Sequence, residues 1–378
     1  MRPLEGVKVI ELSGLAPAPF CGMILADFGA DVTVIGRPSH REAEIPNAMS
    51  RNPFERGKRL IKLDLKTDAG IEILKRMIRQ SDVLLEPFRP GVMEGLGVGP
   101  DDALALNPGL IYARLTGWGQ EGPYARMAGH DINYIGLSGA LSLFRRKGEK
   151  PLPPCNLLGD FAGGGLLCAL GILLALIERG RSGEGQIIDS AMLDGTTYLL
   201  TLFYGLLANG LMGLEIGTNL LDGGAPFYQV YETADGKFMA VGALEKHFYE
   251  KLLKELGLDP ATLPPQNDPA YWPETRDLFE KLFKEKTREE WTAVFEGKDA
   301  CVTPVLELDE VNLHPQNKGR RLLSYANGYL QPSPAPKLSR TPGEIRERRN
   351  SGDPREILLG LGYRDETIKD FYSRGVIQ

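Results

Sequence analysis

Along the first two hundred residues, short β-rich apolar runs alternate with stretches whose apolar residues recur at helical spacing. "VKVIEL" (7–12) reads as a strand, "CGMILADFGA" as a helical patch closing at Gly29, and "DVTVIG" (31–36) as a second strand. The turn-forming "SGLAPAPF" links the first two. Strand, helix and strand in succession imply a βαβ unit, and so parallel pairing. The alternation continues through "RLIKLDL" (59–65, strand), "DAGIEILKRMIRQ" (68–80, helix), "DVLLEPF" (82–88, strand), "DDALALNP" (101–108, short helix) and "LIYARLTGWG" (110–119, strand). A doubly wound, Rossmann-like domain is the expected outcome.

Past residue 195 the texture changes. "PFYQVYETADGKFMAVGAL" (226–244) reads as a β-hairpin turning at "ADGK". "EKHFYEKLLKELGL", "ETRDLFEKLFKEK" and "REEWTAVFEG" read as amphipathic charged helices, and "CVTPVLELDEV" (301–311) as the last strand and exit. The Pro-rich "QPSPAPKLSRTPGEIRERRNSGDP" is expected to wrap over the surface, and the final stretch reads as a helix, a turn and a short helix. The expected class is α/β, a Rossmann-like large domain plus a small α+β domain. The large domain takes 1–195, 196–221 is a connecting helix or linker, 222–312 is the small domain, and 313–378 is a return linker and the C-terminal part of the large domain.

The apolar stretch "FAGGGLLCALGILLALI" (161–177) is 17 residues long, at the lower limit for spanning a bilayer. Its glycines and the charges flanking it favour a buried core helix, and no membrane partner is expected. With 378 residues, 42% hydrophobic and 25% charged, the chain has ordinary globular composition and room for two domains. Its net charge of −6 argues against nucleic acid as a partner. A local cluster of Arg51, Arg56, Lys58, Arg59 and Lys62 suits a small anionic ligand better than a polymer. The cysteines, Cys21, Cys155, Cys168 and Cys301, follow no CxxC spacing, so neither a zinc site nor a disulfide framework is expected. "MRPLEGVKVIEL" has no apolar signal-peptide core and "SRGVIQ" is not a peroxisomal address, so the expected location is cytoplasmic.

No GxGxxG, GxxxxGK[ST] or GxSxG motif is present, so dinucleotide binding, phosphoryl transfer by a P-loop and a nucleophile elbow lose their usual signatures. What remains is a set of polar residues in Gly-rich, apolar surroundings. His130 in "AGHDINYIGLSG" stands at a helix start, where free N–H groups suit an oxyanion. It reads equally well as a capping or core histidine. Asp160 in "NLLGDFAGGG" opens the most apolar helix, either as a cap or as an acid/base carboxylate in a low-dielectric pocket that the following glycines let a ligand approach. Glu245 in "VGALEKHFY" follows a strand, either as part of a site or as a solvated surface group. Together an imidazole and a carboxylate, with no metal or cofactor, suffice to take and return a proton on carbon, if a thioester supplies the acidity and the amide of Asp131 holds the enolate oxygen.

"VIELSGLAPAPFCGMILADFGADV", "DVLLEPFRPGVMEGLG", "LIYARLTGWGQEGP", "AGHDINYIGLSG", "NLLGDFAGGG", "GQIIDSAMLDG", "LDGGAPFY" and "DACVTPVL" occur in this order. In these motifs the chain resembles the α-methylacyl-CoA racemases of the family III CoA-transferase (CaiB/BaiF) superfamily, over about residues 3–345. The resemblance implies an interlocked homodimer with its site between the large domain of one chain and the small domain of the other. It implies His130 and Asp160 as the acid/base pair, Glu245 beside the histidine, the amide of Asp131 on the thioester oxygen, and Tyr228 near the acyl group. It places the CoA of an acyl-CoA substrate against Arg37, Leu63, Asp64, Leu65, Lys66, Arg89, Ala128, Gly129, Ile132 and Asn133, and it implies no separate cofactor. Relatives often carry a basic residue where this chain has Gly95. The implied activity is epimerisation of 2-methylacyl-CoA thioesters through an enolate, in lipid metabolism. Its rivals are a CoA-transferase using Asp160 as a covalent nucleophile, which the histidine disfavours, and a non-catalytic acyl-CoA-binding protein.

Overall fold

The computed structural model of the chain describes residues 2–38, 51–347 and 354–378. They form two compact units, one of Met1–Ser138, Pro154–Leu199 and Lys318–Gln378, the other of Gly139–Pro153 and Leu200–Asn317. The short segment 139–153, which carries no boundary signal in the sequence, groups with the second unit.

The first unit is wound about a parallel sheet. Its elements are β1 (Lys8–Leu12), α1 (Pro17–Asp27), β2 (Asp31–Gly36), β3 (Arg59–Lys62), α2 (Asp68–Arg79), β4 (Val83–Glu86), the single turn α3 (Val92–Gly95), α4 (Pro100–Leu106), β5 (Ile111–Thr116), α5 (Asp131–Leu137), a π-helix (Leu157–Leu166) running into α6 (Leu167–Ser182), β6 (Gln186–Ala191) and α7 (Met192–Leu199). The strand order is β3-β2-β1-β4-β5-β6, with every pairing parallel. Strand β4 is buried along its whole length, and helices cover both faces of the sheet, as a parallel sheet requires. Each fully buried Leu, Ile or Val side chain contributes about 1.5–3 kcal/mol.

Thr67 starts α2 by accepting the Gly70 N–H, and the helix turns Ile73, Leu74, Met77 and Ile78 into the core. The cations near 56–62 do not form the free patch that the sequence suggests. Arg56 is buried against Asp27, with an Nη2–Oδ2 distance of 2.5 Å, and Lys58 against Glu11 at 2.6 Å. Arg59 pairs with Asp31, which leaves Arg51 and Lys62 exposed. Removing a cation from water demands a partner, and the fold supplies an acid to each of the three.

The expected buried core helix at 161–177 is buried on one side. Cys168, Ala169, Ile172 and Ala175 pack on the sheet, while Leu166, Leu170, Leu174 and Ile177 stand 47–59% exposed along the opposite stripe. By length and composition alone, Leu157–Ser182 is also apolar enough to cross a membrane. All four cysteines are free, Cys21 of α1 and Cys168 of α6 both buried in the same core cluster.

The second unit holds α8 (Thr201–Ala208), β7 (Tyr228–Glu232), β8 (Phe238–Gly242), α9 (Lys246–Glu255), α10 (Trp272–Phe283), α11 (Arg288–Phe295) and β9 (Val302–Pro304). Its antiparallel three-stranded sheet and helices enclose their own core around Phe227, Tyr231, Phe279, Phe283 and Trp291. The connecting helix expected over 196–221 is two short ones, α7 and α8, and the division between units falls between them.

The chain then passes α12 (Pro315–Arg320) and a hairpin, β10 (Leu323–Ala326) and β11 (Tyr329–Pro332), and ends in α13 (Pro354–Gly360) and α14 (Asp365–Ser373). This end belongs to the first unit's core through Leu358, Ile368, Phe371, Val376 and Ile377. Arg56 also donates to Gln331 Oε1 and the Pro332 carbonyl, so the returning segment is stitched into the interior rather than only lying on the surface.

Candidate active site

In a 3-2-1-4-5-6 sheet, β1 and β4 are neighbours whose connections leave toward opposite faces, and a crevice opens at their carboxyl ends. A cavity of about 310 Å³ lies there. The turn after β1 gives Leu15 and Pro17, the loop after β4 gives Pro87 to Pro90, and the end of β5 and the turn after it give Leu115 to Trp118. Polar chemistry enters from His130 and Tyr134 of α5 and from Asp160 of the π-helix.

His130 is the N-cap of α5, extended at φ −130° and exposed. Its own N–H donates to Asn133 Oδ1 at 3.0 Å, so Asn133 holds the helix start from below. The ring is therefore not a core histidine. The N–H of Asp131, next in the chain, sits in the first turn, where no carbonyl of its own helix can accept it. Gly129 lies against Trp118 and Tyr134, where a Cβ would meet ring atoms within 2.9 Å, and the Tyr134 hydroxyl donates to the Gly129 carbonyl at 2.5 Å. Trp118 packs edge-on to Tyr134, ring centroids 4.7 Å apart. An aromatic wall thus fixes the backbone that presents His130.

Asp160 lies one turn inside its helix, not at the cap. Asn156 Nδ2 donates to Asp160 Oδ2 at 2.9 Å, and the Asp160 N–H donates to Asp131 Oδ2 at 2.8 Å. Burial pushes the Asp160 carboxyl above the ordinary carboxylate range; Asn156 opposes this, the Asp131 charge adds to it, and nearby His130 opposes it. Burial likewise raises Asp131 against the pull of the Asp160 and Gly159 N–H groups. The Tyr134 hydroxyl is pushed up to about 12, by burial first and then by the charge of Asp160.

The three glycines after Asp160 do not make room for a ligand. A Cβ on Gly163 would meet Thr196 N at 2.7 Å, on Gly164 the Gly159 carbonyl at 2.8 Å, and on Gly165 the Pro17 carbonyl at 2.6 Å. They let the π-helix lie against α7 and α1, which sets Asp160 in place.

Of the other expected residues, Arg89, Ala128 and Gly129 line the cavity. Arg37 lies over the ring of Phe88, itself a lining residue, at 5.8 Å. Leu63, Asp64, Leu65 and Lys66 follow the edge strand β3 and do not line it. The Leu63 side chain is spent on the core, and Asp64 Oδ1 accepts the Lys66 N–H. Ile132 is 47% exposed, and Gly95 faces open space. Tyr228 opens β7 and Glu245 caps α9, both in the second unit. Sequence reasoning missed Asn156, Tyr134 and Trp118, along with the side-chain role of Asp131; the only signal was their presence within four residues of a quoted motif or inside one.

A parallel sheet of this order, with an imidazole and a carboxyl lining a cavity at its switch point, defines an α/β protein of the doubly wound class. The chain belongs to CoA-transferase family III, whose model matches residues 4–350. It is 50% identical to the α-methylacyl-CoA racemases of Mus musculus and Homo sapiens, over 99% of this chain and 97% of each relative. The crystal structure of a CaiB/BaiF family protein from Brucella suis has the same fold, with a TM-score of 0.81 and 27% identity over 95% of this chain and 99% of that one.

Proposed function

We propose that the protein interconverts the (2R) and (2S) epimers of 2-methylacyl-CoA thioesters, using His130 and Asp160 as its two acid/base groups. The observation that carries this is the convergence of a histidine and a raised carboxyl on one cavity beside a helix-start amide that its own helix leaves without an acceptor. The likeness to two racemases over nearly the full chain supports it.

One group removes the α-proton as the C–H electron pair moves into the thioester, giving an enolate. The N–H of Asp131 faces the developing oxygen, where preorganised donors act most strongly. The other group returns a proton to the opposite face of the planar carbon, and the spent pair is reset by the reverse exchange with water. Neither step draws on a redox group or an electron sink beyond the thioester. Arg37, Arg89 and the segment from Ala128 to Asn133 hold the CoA part.

The protein is further proposed to act as an interlocked homodimer, with Glu245 and Tyr228 supplied by the second chain. The exposed stripe of Leu166, Leu170, Leu174 and Ile177 supports a covered face.

The test is NMR of a single-epimer 2-methylacyl-CoA with the protein in D2O. Loss of the α-proton signal together with epimerisation is expected. A persistent α-proton, with CoA transfer to a free acid, would replace this proposal by covalent chemistry at Asp160.

A further inference from the structure

Asp131 has a side chain as well as an amide, and the proposed reaction uses only the amide. That carboxyl is 5% exposed and reaches from α5 to the π-helix, where it accepts the backbone N–H groups of Asp160, at 2.8 Å, and of Gly159. Gly159 allows the approach, because a Cβ there would meet Asp131 Oδ2 at 2.6 Å. The second oxygen, Oδ1, is buried with no hydrogen-bond partner among the described residues.

The first turn of α5 and the charge-assisted bond from the Asp160 N–H both favour a carboxylate at this position, but neither satisfies the buried Oδ1. An asparagine would offer the same carbonyl acceptor to both N–H groups, and a neutral amide costs less to bury than a carboxylate. With Oδ1 buried and unpartnered among the described residues, part of the cost of burying the charge is left uncompensated by these contacts.

We propose that the Asp131 carboxylate is a positioning residue for Asp160: it clamps the Asp160 backbone against the helix start that offers the enolate amide, and its charge keeps the Asp160 carboxyl ready to hold a proton. The groups facing Asp160 are His130, Asp131 and Tyr134 from α5 and Asn156 from its own helix, with Arg89, from the loop after β4, acting on Tyr134. Of these only Asp131 is an anion in direct hydrogen bond with the Asp160 main chain. A like charge favours the protonated form of a carboxyl, so its removal moves Asp160 back toward the ordinary range.

This inference rests on the proposed racemase reaction, and the experiment separates the two. Asp131→Asn and Asp131→Ser both keep an acceptor and lose the charge. The rate of α-proton exchange in D2O is measured against pH for the unaltered protein and both variants, together with thermal unfolding midpoints. The expected result is an unfolding midpoint held or raised in Asp131→Asn, an exchange rate lowered about tenfold or more, and the limb set by Asp160 displaced to lower pH. Exchange by the unaltered protein, with variant profiles superimposable on it, overturns the inference and leaves the reaction standing. A lowered rate with an unmoved limb and a lowered midpoint makes Asp131 purely structural and also overturns it. No exchange by the unaltered protein removes the reaction itself, and the inference with it.

Discussion

His130 is a cap in position and a base in prospect, and the two roles separate by experiment. Its exposed ring bears little on stability, so His130→Ala is expected to change folding free energy by no more than about 0.5 kcal/mol. Exchange of the α-proton is expected to fall about 10²–10⁴-fold, the usual worth of a positioned acid/base group. NMR in D2O and thermal unfolding on the same sample check both. Asp160 gives a pH signature. Its carboxyl is raised by burial, so the limb of the rate profile that it sets is expected above the range of an exposed carboxylate. A carboxyl raised in the folded state favours folding when protonated. That stabilisation is full below the unfolded carboxyl's range and is lost as pH rises through the folded one. Asp160→Asn removes this slope from a curve of stability against pH, and denaturant unfolding across the acid range reads it. The residue types at 130 and 160 were legible in sequence as candidates. What each touches was legible only for Asn156, four residues before Asp160 on the same helix; Asp131 reaches the Asp160 main chain across a meeting of helices 29 residues apart that no local pattern records.

Elements place these residues, and the crossing of the π-helix over α7 is the tightest of them. A Cβ on Gly195 would meet the Gly163 carbonyl at 1.9 Å, backbone against backbone with nothing flexible to yield. Gly195→Ala is expected to cost about 1–3 kcal/mol of stability and to shift Asp160, so the unfolding midpoint and the exchange rate fall together. The strands and helices of the first unit follow the sequence expectation closely: the strand expected over 31–36 and the helix expected over 68–80 appear as Asp31–Gly36 and Asp68–Arg79. One hairpin was legible and overlooked: Asn327 and Gly328, at φ 55° and 81°, make the Asn-Gly turn between β10 and β11, a strong short-range signal in a stretch read only as part of a return linker. The π-helix was not legible, since its pitch answers to what it packs against rather than to its own composition.

At the scale of the molecule, α6 presents an apolar stripe that a solvated helix would not carry. Leu170 and Leu174, each exposed and one turn apart, are the places to test it. Leu170→Glu with Leu174→Glu is expected to turn a dimer into a monomer in sedimentation velocity, because burying two carboxylates against an apolar partner face costs more than the contact returns. An unaltered protein that sediments as a monomer would remove the dimer proposal. A second whole-molecule measurement concerns Glu245. If one chain supplies His130 and the other Glu245, co-refolding His130→Ala with Glu245→Ala leaves one intact site in each mixed dimer. About a quarter of all sites would then recover, given random pairing in a twofold assembly. No recovery would place both residues on the same chain.

The sequence by itself determined the class, the alternation of strand and helix, and the short roster of polar residues able to move a proton, because periodicity and residue chemistry are local properties. Only the tertiary structure decided which cations are spent in buried ion pairs, that three glycines serve helix contact rather than ligand approach, and that the Asp131 carboxylate reaches the Asp160 main chain. Each of these depends on backbones from distant parts of the chain meeting within a few ångströms, and such meetings are fixed by packing the whole sheet and its helices at once.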